Sequence, residues 1–451
     1  MSPTPAARRS GWRPTAAHLR AVIVGALALL WALLGHRPDL LMLGLPLIVV
    51  AVWGQLRRPT RDPRLTVGID HGSLREGQAS TWRARLTTEP GCEDIGALLF
   101  AGRWTQLQPH TGAVIRALDA GRAGDERTAE PVELTVQWRA LRWGRQPLGP
   151  GRLVAVSPWH AYRWGPVSAP RTTPTVLPAP SAFDSTAPAP HPQGLVGVNR
   201  SAHPGEGSEF ASIRPFQLGD RLRRIHWPVS LRTGDLHVTS VYAEQDTHVV
   251  LVVDAFNDLG ASDGIDGRAS SLDVTVRAAG ALAEHYLRRG ERVSLRVYGT
   301  ASVTSIPPAS GKAHLLRVLG TLARISPATD QRENERMMQA GLTAGALVIM
   351  LSPLVSPIPL GYAFTLARRG LTVLVVDTLD PDIATAEAAA DRADDPMLGL
   401  AWRLRQLERE REIRKVLSAG VPVVQWRGTG SLDQMLRDLG QRAAAPRMAH
   451  R

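Results

Sequence analysis

The sequence predicts a multidomain protein in three parts: an N-terminal transmembrane helical hairpin, a small antiparallel β-sandwich-like domain, and an α/β domain. Three observations carry this. Two apolar runs without an internal charge stand back to back at 21–35 and 40–56. Short alternating segments broken by Gly, Pro, Asp and Glu fill residues 65–180, the pattern of an antiparallel sheet pair. From His248 onward, apolar β-branched runs alternate with amphipathic stretches, which calls for a parallel-rich sheet covered by helices.

Residues 1–20 form a basic N-terminus with Arg8, Arg9, Arg13 and Arg20. The hairpin spans 21–56, and its break, HRPD, is too short for a soluble loop between two core helices of this hydrophobicity. Each run is slightly shorter than the ~20 residues of a spanning helix. A secretory signal would show one such run and a small-residue cleavage site. Arginines flank both ends, and the break holds only Arg37. The positive-inside rule then puts both flanks, and everything after residue 57, in the cytoplasm of a multi-pass membrane protein.

In the β-domain, 65–180, tryptophans 82, 104, 138, 143, 159 and 164 cluster. The pattern suits core and sheet-edge packing better than a ligand-stacking platform. Residues 181–204 are rich in Pro, Ala, Ser and Gly and read as an extended linker. A polar segment follows at 205–247, then the α/β domain at 248–445. Strands are expected there at 248–254, 292–298, 346–351, 371–377 and 421–426. Helices are expected at 271–289, 312–325, 358–369, 399–418 and 431–443. The 399–418 helix is laced with Glu and Arg three and four apart, as a solvated surface helix is.

Composition removes several functions. The +12 formal charge rests on arginine, since Lys312 and Lys415 are the only lysines. The one cysteine, Cys92, excludes an intramolecular disulfide and a Cys-rich zinc site. There is no Walker A string, no HExxH and no Gly-x-Ser-x-Gly elbow.

The 205–247 segment concentrates Arg, Asp, Glu, His and Trp, which are costly to bury singly and hold together when paired. Asp220 with Arg232 or Arg224 is expected to clamp the segment onto the α/β body, with Trp227 as its buried anchor. A triad of His226, Ser230 and a nearby Asp is the catalytic alternative. The string Glu209-Phe210, Arg214, Gly219-Asp220, Arg224-Ile225-His226-Trp227, Ser230 and Arg232-Thr233-Gly234 resembles the bacterial family filed as "domain of unknown function 58". The resemblance implies a membrane-anchored protein whose α/β part is a von Willebrand A-like, Rossmann-type domain. It also implies a MoxR-type AAA+ ATPase as a partner in cell-envelope assembly or maturation. Two positions depart from the family pattern: Ser157 stands where an acid is usual, and Pro228 follows the tryptophan where lysine is frequent.

In a von Willebrand A-type domain the first strand ends in Asp-x-Ser-x-Ser, whose oxygens hold Mg²⁺. Here the strand ends Asp254-Ala255-Phe256-Asn257-Asp258. Phenylalanine cannot ligate a hard cation, so the site formed by Asp254 and Asp258 is read as degenerate. No cofactor is expected, with residual Mg²⁺ or Ca²⁺ binding through Asp258, Asp263 and Asp266 as the exception. The expected function is a non-enzymatic interaction protein that docks the ATPase, other membrane or envelope proteins, and membrane lipid. A membrane-bound hydrolase or transglutaminase-like enzyme using Cys92 is one alternative. Nucleic-acid binding is the other, and no reader module supports it.

Overall fold

The structure is a computed structural model. It describes residues 11–87, 92–118, 131–179, 200–217, 220–244, 248–301, 303–327, 346–381 and 396–427. The chain divides into two compact units, Met1–Leu177 and Pro178–Arg451.

The first unit opens with two helices, α1 (Ala16–Leu34) and α2 (Pro38–Leu56). Thr15 caps α1 by accepting the His18 N–H, and Pro38 starts α2. Both start upstream of the bare apolar runs because cap and proline recruit the preceding residues. The helices pack through small residues: a Cβ on Gly44 would stand 3.0 Å from that of Ala28, as in membrane helix pairs. Their outer faces leave Leu33, Leu34, Met42 and Leu56 exposed. Each is long and apolar enough to cross a membrane.

The strands of this unit are β1 (Arg13–Pro14), β2 (Arg64–Ile69), β3 (Ser73–Arg75), β4 (Ala79–Thr87), β5 (Asp94–Ala101) and β6 (Thr105–Gln108). They continue as β7 (Ala113–Ala117), β8 (Val132–Ala140), β9 (Gly144–Arg145), β10 (Leu148–Val156), β11 (Tyr162–Ala169) and β12 (Thr175–Leu177). Two antiparallel sheets, ordered β1-β11-β10-β5-β7 and β2-β4-β8-β6, share one core. Trp82, Leu134 and Trp138 from one sheet join Ile95, Leu153 and Trp164 from the other. In a third small sheet β12 runs parallel to β3. Of the six tryptophans, 82, 138, 143 and 164 are buried, Trp104 lies under Arg103 and Arg142, and Trp159 is exposed. Cys92 is buried in the same core, so it does not present an accessible nucleophile.

Helices and sheets of this unit are stitched together. The Thr15 N–H donates to Ala161 O at 2.9 Å and the Thr15 hydroxyl to His160 O at 2.7 Å. Tyr162 donates its hydroxyl to Gln55, and Arg58 lies 5.1 Å from the centre of the Tyr162 ring. Trp12 is buried, with its Nε1–H on Arg61 O. The residues that enter and leave the helix pair are thereby fixed to the start of β11.

In the second unit, β13 (Arg200–Pro215) and β14 (His237–Glu244) form an antiparallel ribbon. The expected linker therefore ends earlier: 200–204 are already strand, and 181–199 lie outside the described residues. Between the two strands come a 3₁₀ turn, Leu222–Arg224, and the helix α3 (Trp227–Thr233).

The remaining strands are β15 (His248–Asp254), β16 (Arg292–Tyr298), β17 (Thr304–Ala309), β18 (Leu347–Ser352), β19 (Thr372–Asp377) and β20 (Val423–Gln425). They form one sheet ordered β17-β16-β15-β18-β19-β20, parallel except for β17. The edge strand β17 contains Pro307 and Pro308, which hide it from a pattern search. Proline is tolerated there because an edge has one unpaired side. The helices are α4 (Ser271–Arg288), α5 (Lys312–Leu322), α6 (Pro357–Arg368) and α7 (Pro396–Ser418). A capping box of Ser270 and Asp273 starts α4. The helix expected at 431–443 lies outside the described residues. Helix α7 is largely exposed, as a surface helix is, and Met397, Leu400, Leu404 and Leu407 are among the residues it leaves in solvent.

Candidate functional site

The strand order reverses between β15 and β18, and open α/β sheets bind ligands at the carboxyl ends of such a pair. Asp254 ends β15 and Ser352 ends β18. Both are buried. The Ser352 hydroxyl donates to Asp254 Oδ2 at 2.5 Å, and the Phe256 N–H donates to Oδ1 at 2.9 Å. The Leu354 N–H in turn donates to Ser352 Oγ at 2.9 Å. Leu354 is buried with φ +55°, a left-handed conformation that its packing must hold in place.

Both oxygens of Asp254 are thus engaged by the protein itself, and Phe256, at the position of the first hydroxyl, is buried. The residues present do not fit a hexacoordinate hard cation, which needs accessible carboxylate, hydroxyl and water oxygens. Asp258 is employed elsewhere: its Oδ1 accepts the Leu272 N–H at 3.2 Å, in the first turn of α4. Asp263 pairs with Arg268 at 3.3 Å. Among the described residues no three His, Cys, Asp or Glu side chains gather as a metal-holding group.

The neighbouring strand end is closed in a different way. Asp377, at the end of β19, accepts the Leu379 N–H and is ion-paired with Arg409 of α7. Arg409 also donates to Pro353 O at 3.1 Å, and Arg405 to Val355 O at 2.5 Å. Two arginines of α7 therefore cover the loop that follows β18. Thr275 and Thr378 hydroxyls meet at 2.6 Å behind them. Ser352 lies one residue past the strand expected at 346–351, and nothing in the local pattern marks it as a partner of Asp254. Arg409 was missed altogether, because it lies 32 residues from its acid on a helix whose charges look like ordinary surface pairs.

Burial pushes the Asp254 carboxyl up to about 6, against the pull of the Ser352 and Phe256 hydrogen bonds. Burial likewise raises Asp377, with Arg409 pulling the other way. Between its ordinary 3.8 and about 6, Asp254 holds a proton in the folded state that it has lost in the unfolded one. Stability must then fall as pH rises through that window, levelling off about 3 kcal/mol lower on account of this group. Asp254→Asn keeps the acceptor for Phe256 and is expected to remove that part of the slope, read by denaturant unfolding at pH 4 and pH 7. An unchanged slope would show that Asp254 ionises freely.

The polar segment forms a second site. Arg214 near the end of β13 grips Asp220 through two hydrogen bonds, Nη1 to Oδ2 at 2.8 Å and Nη2 to Oδ1 at 2.6 Å. The Gln217 N–H donates to the same carboxylate at 2.8 Å. The Arg214 bonds, then that backbone N–H, hold Asp220 below the usual carboxylate range. The clamp expected from Arg232 or Arg224 is therefore made by Arg214, six residues from its acid. It ties the end of β13 to Asp220, as a planar fork on a carboxylate does.

His226 caps α3, with Nδ1 accepting the Val229 N–H at 3.3 Å. Ser230 is buried, donates to His226 O and accepts the His237 N–H at 2.9 Å. The serine hydroxyl is thus committed to backbone groups, and the ring of His226 to a helix cap, which is not the geometry of a triad. Gly234 ends α3 at φ +80°, the left-handed turn that glycine permits. Glu209 lies on β13 and Arg232 is exposed in the last turn of α3.

Trp227 is not the buried anchor expected of it. It is 59% exposed, with Leu231 at 81% one turn along the same helix face and Leu222 at 70% in the preceding 3₁₀ turn. Arg221, Arg223 and Arg232 are exposed around them.

Comparisons with known proteins locate this region. Uncharacterized proteins of Mycobacterium bovis and Mycobacterium tuberculosis are each 30% identical over 193 residues, covering 42% of this chain and 54% of the relative. The chain spans about half the length of the curated relatives it matches. Among solved structures, the complex of zinc 2-glycoprotein and prolactin inducible protein from human seminal plasma aligns at TM-score 0.16 and 12% identity, over 25% of this chain and 91% of that one. A pilus adhesin of Streptococcus pneumoniae aligns at TM-score 0.17 and 9% identity, over 63% of this chain and 41% of that one. Neither likeness carries an argument about fold or activity. The family model described as "Protein of unknown function DUF58" matches residues 212–384, the stretch that runs from the Arg214–Asp220 grip through β19.

Proposed function

We propose that this protein is a membrane-anchored, non-enzymatic docking protein. Its α/β unit is a von Willebrand A-like domain that presents the exposed surface of Leu222, Trp227 and Leu231 to a partner protein. The observation that carries this reading is the exposure of Trp227 together with Leu222 and Leu231. Large aromatic and arginine side chains dominate binding energy at protein interfaces, and it is a grouped exposed apolar patch, not a single residue, that marks such a surface. The metal route of a von Willebrand A-type domain is replaced here, because Asp254 is satisfied by Ser352 and Phe256. Helices α1 and α2 anchor the protein as a multi-pass hairpin, and the arginine distribution supports a cytoplasmic location for both units. The resemblance stated above supplies the partner class, a MoxR-type AAA+ ATPase acting at the cell envelope.

Capture of the tagged full chain from detergent-solubilised membranes tests the reading. An AAA+ ATPase should be recovered with it. Trp227→Ala combined with Leu231→Ala should reduce recovery roughly thirty-fold, the loss of one interface hot spot of about 2 kcal/mol. Failure to recover any such ATPase, or full recovery with the double variant, would count against it.

A further inference from the structure

Helix α7 has two unlike faces. One carries Arg405 and Arg409, which pin it over the loop after β18, together with the buried Val416. The other exposes Met397, Leu400, Leu404 and Leu407. Their spacings of three, four and three residues are the a and d positions of two consecutive heptads. An apolar seam of this kind facing water on a 23-residue helix has no partner helix among the described residues.

The charges beside the seam identify the occupant. With Met397 and Leu404 at a, Arg403 and Glu410 fall at g, and Glu408 and Lys415 at e. In a parallel, in-register pair each g residue faces the e residue five positions on in the other helix. Arg403 then meets Glu408 of the partner subunit, and Glu410 meets Lys415 of the partner subunit. Both contacts join opposite charges. An antiparallel pair that kept the same four apolar residues in register would set Arg403 against its own copy. Glu408 already accepts from Arg405 within its own chain at 3.0 Å and is 53% exposed, so it has room for a second arginine.

We infer that α7 is a homodimerisation helix, packing in parallel and in register against α7 of a second copy of this chain. The seam ends where Arg411 and Arg414 take the next a and d positions, so it is two heptads long. Such a short contact is weak between free chains and is strengthened when both copies are tethered in one bilayer. Because Arg405 and Arg409 lie on the same helix, the dimer also fixes the cover over Asp377. The inference stands apart from the docking surface at Trp227 and needs no partner protein.

The test uses the purified full chain in nanodiscs and detergent. Leu407→Cys in a Cys92→Ala background should form a disulfide-linked dimer on mild oxidation, while Leu316→Cys, an exposed control on α5, should not. Arg403→Glu alone sets glutamate against glutamate at both symmetry-related 403–408 contacts and should weaken the dimer roughly tenfold. Adding Glu408→Arg to the same chain should restore it, which separates a broken contact from a broken fold. A chain that stays monomeric at tens of micromolar would overturn the inference. So would a dimer indifferent to Arg403→Glu, or cross-links equal at 407 and 316.

Discussion

Gly299→Ala is expected to destabilise the α/β unit severely. Gly299 follows β16 at φ +84°, and a Cβ there would lie 2.2 Å from Phe256 N and 2.4 Å from the Ala255 carbonyl carbon. The obstruction is backbone, so no side chain can swing aside. The Ala255 N–H donates to Tyr298 O at 2.8 Å, which holds the two chain segments in contact and fixes the loop that carries Phe256. Left-handed strain and the clash together should cost at least about 4 kcal/mol, a large share of the 5–15 kcal/mol that a typical domain has. Denaturant unfolding followed by near-ultraviolet circular dichroism measures it. A loss below about 1 kcal/mol would mean the β15 loop does not pass where the structure has it.

The second large effect is expected at Arg409. Arg409 and Asp377 form an ion pair whose side chains are 11% and 12% exposed. Removing one partner of such a pair leaves a buried charge, typically at a cost of about 3–5 kcal/mol. Arg409→Ala should therefore destabilise the unit by that amount and free the loop after β18, which Arg409 also holds through Pro353 O. The loss should be smaller at acid pH, because burial raises the Asp377 carboxyl and an unpaired Asp377 takes up a proton as pH falls. Asp377→Asn with Arg409→Met should recover much of the stability, as apolar replacement of buried pairs often does. Equal stability of Arg409→Ala and the parent at pH 7 would show that the pair contributes nothing.

The sequence made the elements visible where one physical signal dominated. The runs HVVLVVD and TVLVVD have the β-branched density of strands buried on both faces, and β15 and β19 are found within one residue of expectation. The helix pair followed from the lack of charge in two apolar runs. Where two signals conflicted, the pattern hid the element. The β17 prolines suppress a strand that only an edge position allows, and the glycines and proline before Glu209 disguise β13 as linker.

Pairings across the chain were the least legible. Asp220 sits among Arg214, Arg221, Arg223, Arg224 and Arg232, and charge alone does not choose between them. The position of Arg214 at the end of β13 does, with both its Nη atoms on the acid. Trp227 was expected inside because tryptophan usually is. It is outside because α3 is seven residues long and turns only Ser230 fully inward. Asp254 stood out in the sequence as the end of an apolar strand, but its hydrogen-bond partner Ser352, 98 residues away, did not.

One comparison decides between a docking surface on α3 and a ligand site at the strand ends. The tagged full chain, Asp254→Asn and Trp227→Ala are captured in parallel from the same membranes, with folding of each checked by circular dichroism. Recovery of the AAA+ ATPase should persist with Asp254→Asn and collapse with Trp227→Ala. Recovery lost with Asp254→Asn and kept with Trp227→Ala would place the working site at the end of β15 and contradict the docking role of α3.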